Sequence, residues 1–288
     1  TVPAVTTGLA KLDEVIGGLQ AGDLAVYAGR PGMGKSALLM TTALAAARQN
    51  RPVIVFSLEM SQERLLERMG CDIDFDAHHL DPLSYHWFRK GDLRAHQVER
   101  MAQAVRRMPD NLKIFDRGDL TIHEIASLAR AEAQRSSRMG VVVIDYLQKV
   151  RATDRYAGNK VQEITEISGA AKALAMRIGW PVVVGAQLNR GVESREEKTP
   201  TLSDLRESGA IEQDADQVVG LYRPAYYIGK KKPAGGSMDP RWNGWLAEYE
   251  PVKNHLDLFV LKNRHGEENS VKVHCDMRAS AIRDEAPR

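Results

Sequence analysis

Cysteine is scarce in this sequence: among its 288 residues only Cys71 and Cys275 are cysteines. They stand far apart, without a CxxC pair or a Cys/His cluster, which argues against a structural zinc site. A chain with so little cysteine fits a reducing compartment, so we expect a cytoplasmic protein.

Long apolar runs are lacking as well. No run of apolar residues approaches the ~20 that a helix needs to span a bilayer, and no secretory leader opens the chain. We therefore expect no membrane partner. The first residue is Thr rather than Met, and we expect a fragment of a longer protein.

An excess of charge of one sign is also missing. The formal net charge is +2, so any contact with nucleic acid must come from a local patch rather than from overall charge. Apolar material, in contrast, is plentiful: 43% of the residues are hydrophobic, which is enough for a large core. No internal repeat or long linker appears, and we expect residues 1–288 to form one domain.

A glycine-rich loop near the start of the chain follows the pattern Gly-x-x-x-x-Gly-Lys-Ser, which is typical of phosphate-binding loops. A β-rich run, 24–28, precedes it and a helix-forming stretch, 37–49, follows it. Backbone N–H groups of such a loop converge on one anion. We expect Lys35 to contact the β- and γ-phosphates of ATP and Ser36 to ligate Mg²⁺. The predicted nucleotide-binding residues are Gly29, Arg30, Pro31, Gly32, Met33, Gly34, Lys35, Ser36 and Ala37.

A second strong motif is a run of four β-branched residues, 141–144, that ends in Asp145. The run predicts a strand buried between helix layers, with the carboxylate left at its tip. This is the Walker B arrangement, in which the Asp holds Mg²⁺ through water. Together with the phosphate-binding loop, it predicts an NTP hydrolase site in which Asp145 and Ser36 share the metal.

Two further predicted strands end in polar residues, at the edge where α/β sheets place their ligand chemistry. Residues 53–58 lead to Glu59, which is either a catalytic base or a cap for the helix that begins at Ser61; its position favours catalysis. Residues 181–186 lead to Gln187. That side chain either senses the γ-phosphate or orients water, although the residues alone favour a turn-forming role.

The order of predicted elements favours an α/β fold: a mostly parallel, twisted, doubly wound sheet flanked by helices. Near the C terminus, residues 256–262 and 271–274 predict two antiparallel strands joined by a tight turn. Lys262 and Arg264 alternate there and therefore project to the same side. We predict helices over 6–20, 37–49, 61–69, 92–108, 122–136 and 159–179, and further strands over 112–115 and 217–222.

Three stretches are predicted to lack regular structure. Residues 70–91 hold histidines without a completing ligand pattern, and we interpret them as surface residues. Residues 202–216 suggest a loop whose backbone N–H groups, with Arg206, can bind phosphates. Residues 224–254 suggest an inserted excursion of low regularity. Its lysine run at 230–232 has tryptophans nearby. This combination favours a nucleic-acid patch and a solvated loop packed by its aromatic residues equally.

Several motifs resemble those of DnaB, the bacterial replicative DNA helicase family. They are FSLEMS (56–61), VIDYLQ (143–148), AQLNR (186–190), DLRESGAIEQDAD (204–216) and KNRHG (262–266). The resemblance runs from about residue 6 to residue 276, and 204–216 is its most specific part. It implies a RecA-like P-loop NTPase that assembles as a homohexameric ring around single-stranded DNA, translocates 5′ to 3′ with ATP and unwinds duplex.

The same resemblance implies roles for individual residues. Glu59 is implied to activate the hydrolytic water, and Gln187 to report on the γ-phosphate. Lys262 and Arg264 are implied to reach into the neighbouring subunit's ATP site as a basic finger, which makes hydrolysis depend on the ring. The residues implied to hold the DNA backbone in the central channel are Arg206, Glu207 and Gly209.

The chain departs from the family pattern at its start. We expect residues 1–22 to be a remnant of the linker and first helix, after a missing primase-binding domain, and 224–254 to be an insertion. For the full-length protein, the resemblance implies primase and a helicase loader as partners. Two alternatives stay open: a RecA-like recombination or regulatory ATPase that assembles on nucleotide without unwinding, and a nucleotide-binding oligomerisation module whose partner is a protein.

Overall fold

The computed structural model describes residues 4–153, 156 and 158–286, without the side chains of residues 206–208. Its strands are β1 (Leu24–Gly29), β2 (Val53–Ser57), β3 (Leu112–Phe115), β4 (Val141–Asp145), β5 (Val182–Gln187), β6 (Gln217–Tyr222), β7 (His255–Asn263), β8 (Ser270–Asp276) and β9 (Ala281–Arg283). Its α-helices are α1 (Ala10–Ile16), α2 (Lys35–Arg48), α3 (Gln62–His78), α4 (Tyr85–Lys90), α5 (Ala95–Arg106), α6 (Ile122–Gln134), α7 (Lys160–Ile178), α8 (Gly209–Asp214), α9 (Pro224–Lys230) and α10 (Trp242–Tyr249).

The strands of the described residues form one nine-stranded sheet in the order β3-β2-β4-β5-β1-β6-β7-β8-β9. The first six strands in that order run parallel to one another. The last three are antiparallel to their neighbours. The predicted α/β class, with C-terminal antiparallel strands, is therefore confirmed, and β9 is an additional strand that the sequence pattern did not indicate.

Strand β1 lies inside the sheet, between β5 and β6, and all six of its residues are buried. Leu24 and Val26 belong to the core layer on one face, which α6 and α7 cover. Ala25 and Tyr27 belong to the layer on the other face, which α1 and α2 cover. Since strand side chains alternate between faces, a strand buried on both sides has to be apolar throughout.

The predicted helices appear in the structure, with shifts at their ends. Helix α6 begins at the capping box that its sequence contains: the Thr121 hydroxyl accepts the Glu124 N–H at 3.2 Å, and the Glu124 carboxylate accepts the Thr121 N–H at 2.8 Å. Among the described residues, no helix is long and apolar enough to cross a membrane.

Helix α3 continues to His78 and α4 covers Tyr85–Lys90, so the prediction of irregular structure over 70–91 is wrong in both parts. Two of its polar residues are buried carboxylates, and their partners come from elsewhere in the chain. Asp72 is paired with Arg283, and Asp74 is paired with Arg100. Buried charges are tolerated when they are paired, and these partners cannot be recognised from the local sequence.

The stretch 202–216 is helical rather than a loop, which corrects a second prediction. A 3₁₀ helix over Leu202–Ser208 is followed directly by α8. The helical turn begins at a capping box, because the Asp204 carboxylate accepts the Thr201 N–H at 2.8 Å. Ile211 is fully buried and fixes α8 on the core.

The stretch 224–254 is more regular than predicted, because it contains α9 and α10. Pro224 occupies the first turn of α9, where its missing N–H is not needed. The Trp245 indole donates to the Ile228 carbonyl at 2.9 Å, which ties the two helices together. Part of the lysine run packs on these aromatics, since the Lys232 ammonium lies 5.3 Å from the centre of the Trp242 ring.

Candidate functional site

The phosphate-binding loop leaves the C-terminal end of β1 and enters α2 at Gly34. Gly32 and Gly34 have φ angles of +83° and +94°, in the left-handed region that favours glycine. A Cβ atom on Gly32 would also lie 2.5 Å from Cε2 of Tyr226. The backbone path therefore requires glycine at positions 32 and 34, and the Tyr226 ring excludes a larger residue at position 32 as well.

Lys35 lies in the first turn of α2, with its ammonium group folded back over the loop. It donates to the Gly29 carbonyl at 2.9 Å and lies 3.4 Å from the Arg30 carbonyl. Burial lowers the pKa of Lys35 to about 8, although Asp145 and Glu59 act in the opposite direction. A phosphate anion at this position would favour the charged ammonium and offset its burial.

Asp145 and Ser36 meet at the bottom of the same cleft. The Asp145 carboxylate is only 4% exposed, and the Ser36 hydroxyl lies close enough to it to influence its pKa. Burial raises the pKa of Asp145, while Ser36 and Lys35 act against that rise. A carboxylate beside a hydroxyl gives two hard oxygen ligands, the donor type that Mg²⁺ prefers when water and phosphate supply the remaining positions.

Glu59 follows β2 and lines the same cleft as Asp145. Strands β2 and β4 are parallel neighbours with Ser57 in register with Asp145, so both carboxylates come from the same end of the sheet. The alternative role, a cap for α3, is taken by another residue. The Gln62 N–H in the first turn of that helix donates to the Asp116 carboxylate at 2.8 Å. The structure therefore places Glu59 at the cleft rather than on the helix end.

Gln187 is the last residue of β5, and its backbone is held by another side chain. The Gln148 amide accepts the Gln187 N–H at 3.1 Å and donates to the Gln187 carbonyl at 3.2 Å. This two-point contact fixes the end of the strand from which the Gln187 side chain enters the cleft. The partner Gln148 lies in the VIDYLQ stretch, but the motif alone did not identify it as a positioning residue.

The cleft itself is a cavity of about 410 Å³ at the C-terminal ends of the parallel strands. Glu59, Asp145 and Gln187 line it. The predicted loop residues that also line it are Pro31, Gly32, Gly34, Lys35, Ser36 and Ala37.

The other three predicted loop residues contribute to the structure around the cleft and do not line it. Gly29 ends β1, and the Met33 side chain is buried in the core. The Arg30 side chain points away from the cleft, where it donates to the Leu188 carbonyl at 2.9 Å and pairs with Glu193. Arg30 therefore ties the phosphate-binding loop to the chain that follows β5.

Six residues that line the cavity were missed from the sequence: Tyr146, which directly follows the predicted Asp145, and five others. The other five are Arg68, Tyr85, Arg223, Met277 and Ser280. The Arg68 guanidinium stacks 4.6 Å from the centre of the Tyr85 ring, and Arg223 donates to the Gly32 carbonyl at 2.9 Å. Arg223 directly follows β6, so its position after a parallel strand is a signal that could have identified it.

Lys262 and Arg264 lie at the opposite edge of the sheet from this cavity. Lys262 is in register with Val218 near the start of β6, and the Arg264 N–H donates to the Asp216 carbonyl at 2.8 Å. Since β1 runs parallel to β6, this is the edge where β1 starts. The six residues of β1 separate it from the phosphate-binding loop by roughly 16 Å at about 3.3 Å per residue.

The residues predicted to contact DNA lie on the crossover from β5 to β6. The backbones of Arg206 and Glu207 are in the 3₁₀ helix Leu202–Ser208, but their side chains lie outside the described part of the structure. Gly209 begins α8, and a Cβ atom added there would meet open space. The crossover runs from the cavity edge at Gln187 to the far edge of the sheet at Asp216.

Comparison with known proteins shows which family the chain is similar to. The family model for the DnaB-like helicase C terminal domain matches residues 4–284. The replicative DNA helicase DnaB of Rickettsia conorii (strain ATCC VR-613 / Malish 7) is 37% identical, over 96% of this chain and 56% of the relative. That of Geobacillus stearothermophilus is 38% identical, over 94% of this chain and 54% of the relative. The chain thus spans about half the length of the curated relatives it matches.

Solved structures give the same result. One of them, described as an ATPase domain, superimposes with a TM-score of 0.82 at 26% identity, covering 98% of this chain and 91% of that one. A DnaB-like replicative helicase, described with its interactions with primase, also has a TM-score of 0.82, at 25% identity. It covers 99% of this chain and 64% of that one.

Proposed function

The chain belongs to the family of DnaB-like helicase C-terminal domains, and we propose that it is the ATP-hydrolysing motor domain of a replicative DNA helicase. The observation that carries the proposal is the convergence of Lys35, Ser36, Glu59, Asp145 and Gln187 on one cavity. These residues come from the ends of four parallel strands, and they supply the groups that phosphoryl transfer to water requires.

Each of these groups has a defined task in the proposed reaction. The phosphate-binding loop and Lys35 hold the triphosphate, while Ser36 and Asp145 hold Mg²⁺. Glu59 accepts a proton from the water that attacks the γ-phosphate, and Gln187 contacts that phosphate. In such reactions the protein acts mainly through positioning and charge stabilisation, which is why fixed loop and strand ends matter.

We propose that Lys262 and Arg264 complete the ATP site of a neighbouring copy. Their position at the far edge of the sheet, roughly 16 Å from the phosphate-binding loop of their own chain, supports this assignment. Two different surfaces that complement each other across copies generate a ring when the rotation closes. A homohexamer around single-stranded DNA is the assembly we propose.

The crossover 188–216 is the proposed DNA-binding segment, with Arg206, Glu207 and Gly209 on the backbone of the strand. Contacts of this type bind phosphates regardless of sequence. We propose translocation 5′ to 3′ with duplex unwinding. We also propose primase and a loader as partners of the longer protein; one solved relative is described with its interactions with primase.

The test is ATP turnover with Mg²⁺, measured with and without a single-stranded oligo-dT. We expect turnover that depends on Lys35 and rises several-fold with the oligonucleotide. Turnover that oligo-dT leaves unchanged would contradict the motor assignment and favour a nucleotide-binding assembly module. Stimulated turnover without separation of a forked duplex would favour a recombination or regulatory ATPase instead.

A further inference from the structure

Asp216 stands at the junction of the crossover and β6, and its side chain is 2% exposed. Three donors surround it: the Leu24 N–H at 2.8 Å, the Lys172 ammonium at 2.6 Å and the Arg264 guanidinium at 2.9 Å. Burial alone would raise the pKa of Asp216, but Lys172, Leu24 and Arg264 outweigh it and the pKa lies below its usual value. The carboxylate is therefore charged and fully engaged.

The Arg264 guanidinium is bound at one point only by this carboxylate. Its Nη1 donates to Oδ1 of Asp216, and 56% of the side chain is exposed. A guanidinium carries five N–H donors in a rigid plane, so a contact on Nη1 leaves the other donors available to an external anion. The main chain is fixed as well, since the Arg264 N–H donates to the Asp216 carbonyl at 2.8 Å.

Lys262 is held by the same short segment. Its ammonium donates to the Glu212 carbonyl at 2.5 Å and lies 3.5 Å from the Gln213 carbonyl, both at the C-terminal end of α8. Residues 212–216 therefore hold both cations of the proposed finger. Any displacement of this end of the crossover would move the two cations with it.

A cation site at the same place is disfavoured by charge. Asp23, Asp216 and His265 bring possible ligand atoms within 4.8 Å of one another. However, Lys172 and Arg264 already donate to Asp216, so two positive side chains occupy the position that a metal ion would need. The cluster is an ion-pair network rather than a metal site.

We infer that Asp216 is a positioning residue, which aims the Arg264 guanidinium at the ATP of a neighbouring copy and links that aim to the DNA-binding crossover. The inference rests on the proposed function and adds a residue to it. Asp216 touches neither the nucleotide nor the DNA in this account, and it acts through Arg264 alone.

The primary test is Asp216→Asn, which keeps the size of the side chain and an acceptor for the Leu24 N–H. We expect kcat for oligo-dT-stimulated ATP hydrolysis to fall about tenfold, the low end of what orienting partners contribute, with KM for ATP within about twofold. Adding Asp216→Asn to Arg264→Ala should then cost nothing further, because the residue acts through a guanidinium that is already gone.

The matched control concerns the other partner of the carboxylate. Lys172→Met removes the second cation on Asp216 without touching Arg264, and we expect its kcat to stay within about twofold of the wild type. If Asp216→Asn alone is unstable because it leaves Lys172 unpaired, the comparison of Lys172→Met with Lys172→Met/Asp216→Asn gives the same readout in a background without that cation.

A mixing experiment separates positioning from local damage. Rings assembled from Asp216→Asn and Lys35→Ala subunits contain sites that combine an intact phosphate-binding loop with an intact finger, about one site in four for random mixing. We expect turnover several-fold above the sum of the two variants kept apart. A defect that mixed rings of verified mass fail to rescue would overturn the inference.

The remaining outcomes distinguish this inference from the function beneath it. Wild-type kcat in Asp216→Asn, with a clear loss in Arg264→Ala, overturns the role of Asp216 and leaves the motor assignment in place. An equal loss in Lys172→Met also overturns it, because the effect would then belong to the ion-pair network as a whole. A wild-type chain without ATP turnover overturns the proposed function, and the inference with it.

Discussion

The two edges of the parallel sheet differ in whether their functional side chains lie together in one cavity. At the edge where the strands end, Lys35, Asp145 and Gln187 converge on one cavity and have partners from their own chain. At the edge where the strands begin, Lys262 and Arg264 lie on carbonyls and a carboxylate of their own chain, far from that cavity. The first edge carries the groups proposed to bind the nucleotide, whereas the second offers cations that lie at the far end of β1 from this chain's own phosphate-binding loop.

Because of this difference, the role proposed for Lys262 and Arg264 requires a second copy of the chain. In the proposed ring, a finger from one subunit would stabilise the charge that develops on the γ-phosphate of a nucleotide bound at the strand ends of another. Four substitutions test this difference between the edges, and they follow in order of decreasing expected effect.

Lys35→Ala should have the largest effect, because it removes the cation that lies on the phosphate-binding loop. We expect ATP hydrolysis to fall about 1,000-fold or more, in keeping with the loss of a group that stabilises a transferring phosphoryl. Steady-state turnover and nucleotide binding measure the loss. Lys253→Ala, which removes an exposed lysine paired with Glu250, is the matched control and should match the wild type.

Arg264→Ala should come next, with a loss of about 100-fold or more in kcat, the cost of removing one donor that stabilises charge in the transition state. Nucleotide affinity should change by less than about threefold, because the residues that line the nucleotide cavity do not include Arg264. Binding of a fluorescent ATP analogue and steady-state turnover separate the two effects.

Mixing sharpens the second prediction further. Subunits with Arg264→Ala and subunits with Glu59→Ala are each defective at a different edge, so mixed rings contain some sites with both groups intact. Part of the turnover should return. Complete absence of rescue in mixed rings of verified mass would show that Arg264 does not act on a neighbour.

The sequence predicted the edge with the cavity better than it predicted the elements around it. Strands β1, β2, β4 and β5 are apolar on both faces, and the phosphate-binding loop has a glycine pattern set by its backbone path. Both features can therefore be recognised from the local sequence. The predicted cavity residues follow directly from those strands.

The misassigned stretches have a common physical cause. Helix α3 carries buried Asp72 and Asp74, whose partners Arg283 and Arg100 are remote in the sequence. Likewise, Arg68 reaches the cavity from α3, which carries no motif. Long-range pairing decides such positions, and a pattern read along one stretch of chain cannot contain it.

Gln148→Ala should give an intermediate effect at the cavity edge. The substitution removes both hydrogen bonds that fix the backbone of Gln187, and we expect kcat to fall about tenfold with KM for ATP little changed. Gln148→Glu keeps the acceptor for the Gln187 N–H but loses the donor, so its kcat should lie between those of the wild type and Gln148→Ala. A wild-type rate in Gln148→Ala would show that the end of β5 needs no such support.

Arg206→Ala should have the smallest effect, a few-fold weaker binding of oligo-dT. Removing one phosphate contact should reduce the slope of log affinity against log salt by about 0.7 for a single strand. Fluorescence anisotropy over a salt series measures both quantities. Wild-type affinity and slope would show that the crossover between the two edges does not carry the DNA.

The most direct measurement of the division between edges is ATP turnover per subunit over a dilution series, with assembly mass recorded at each concentration in the presence of oligo-dT. The account predicts that turnover per subunit rises with the assembled fraction and is nearly absent in monomers, although monomers still bind nucleotide at the cavity edge. Constant turnover per subunit down to the monomer would contradict it.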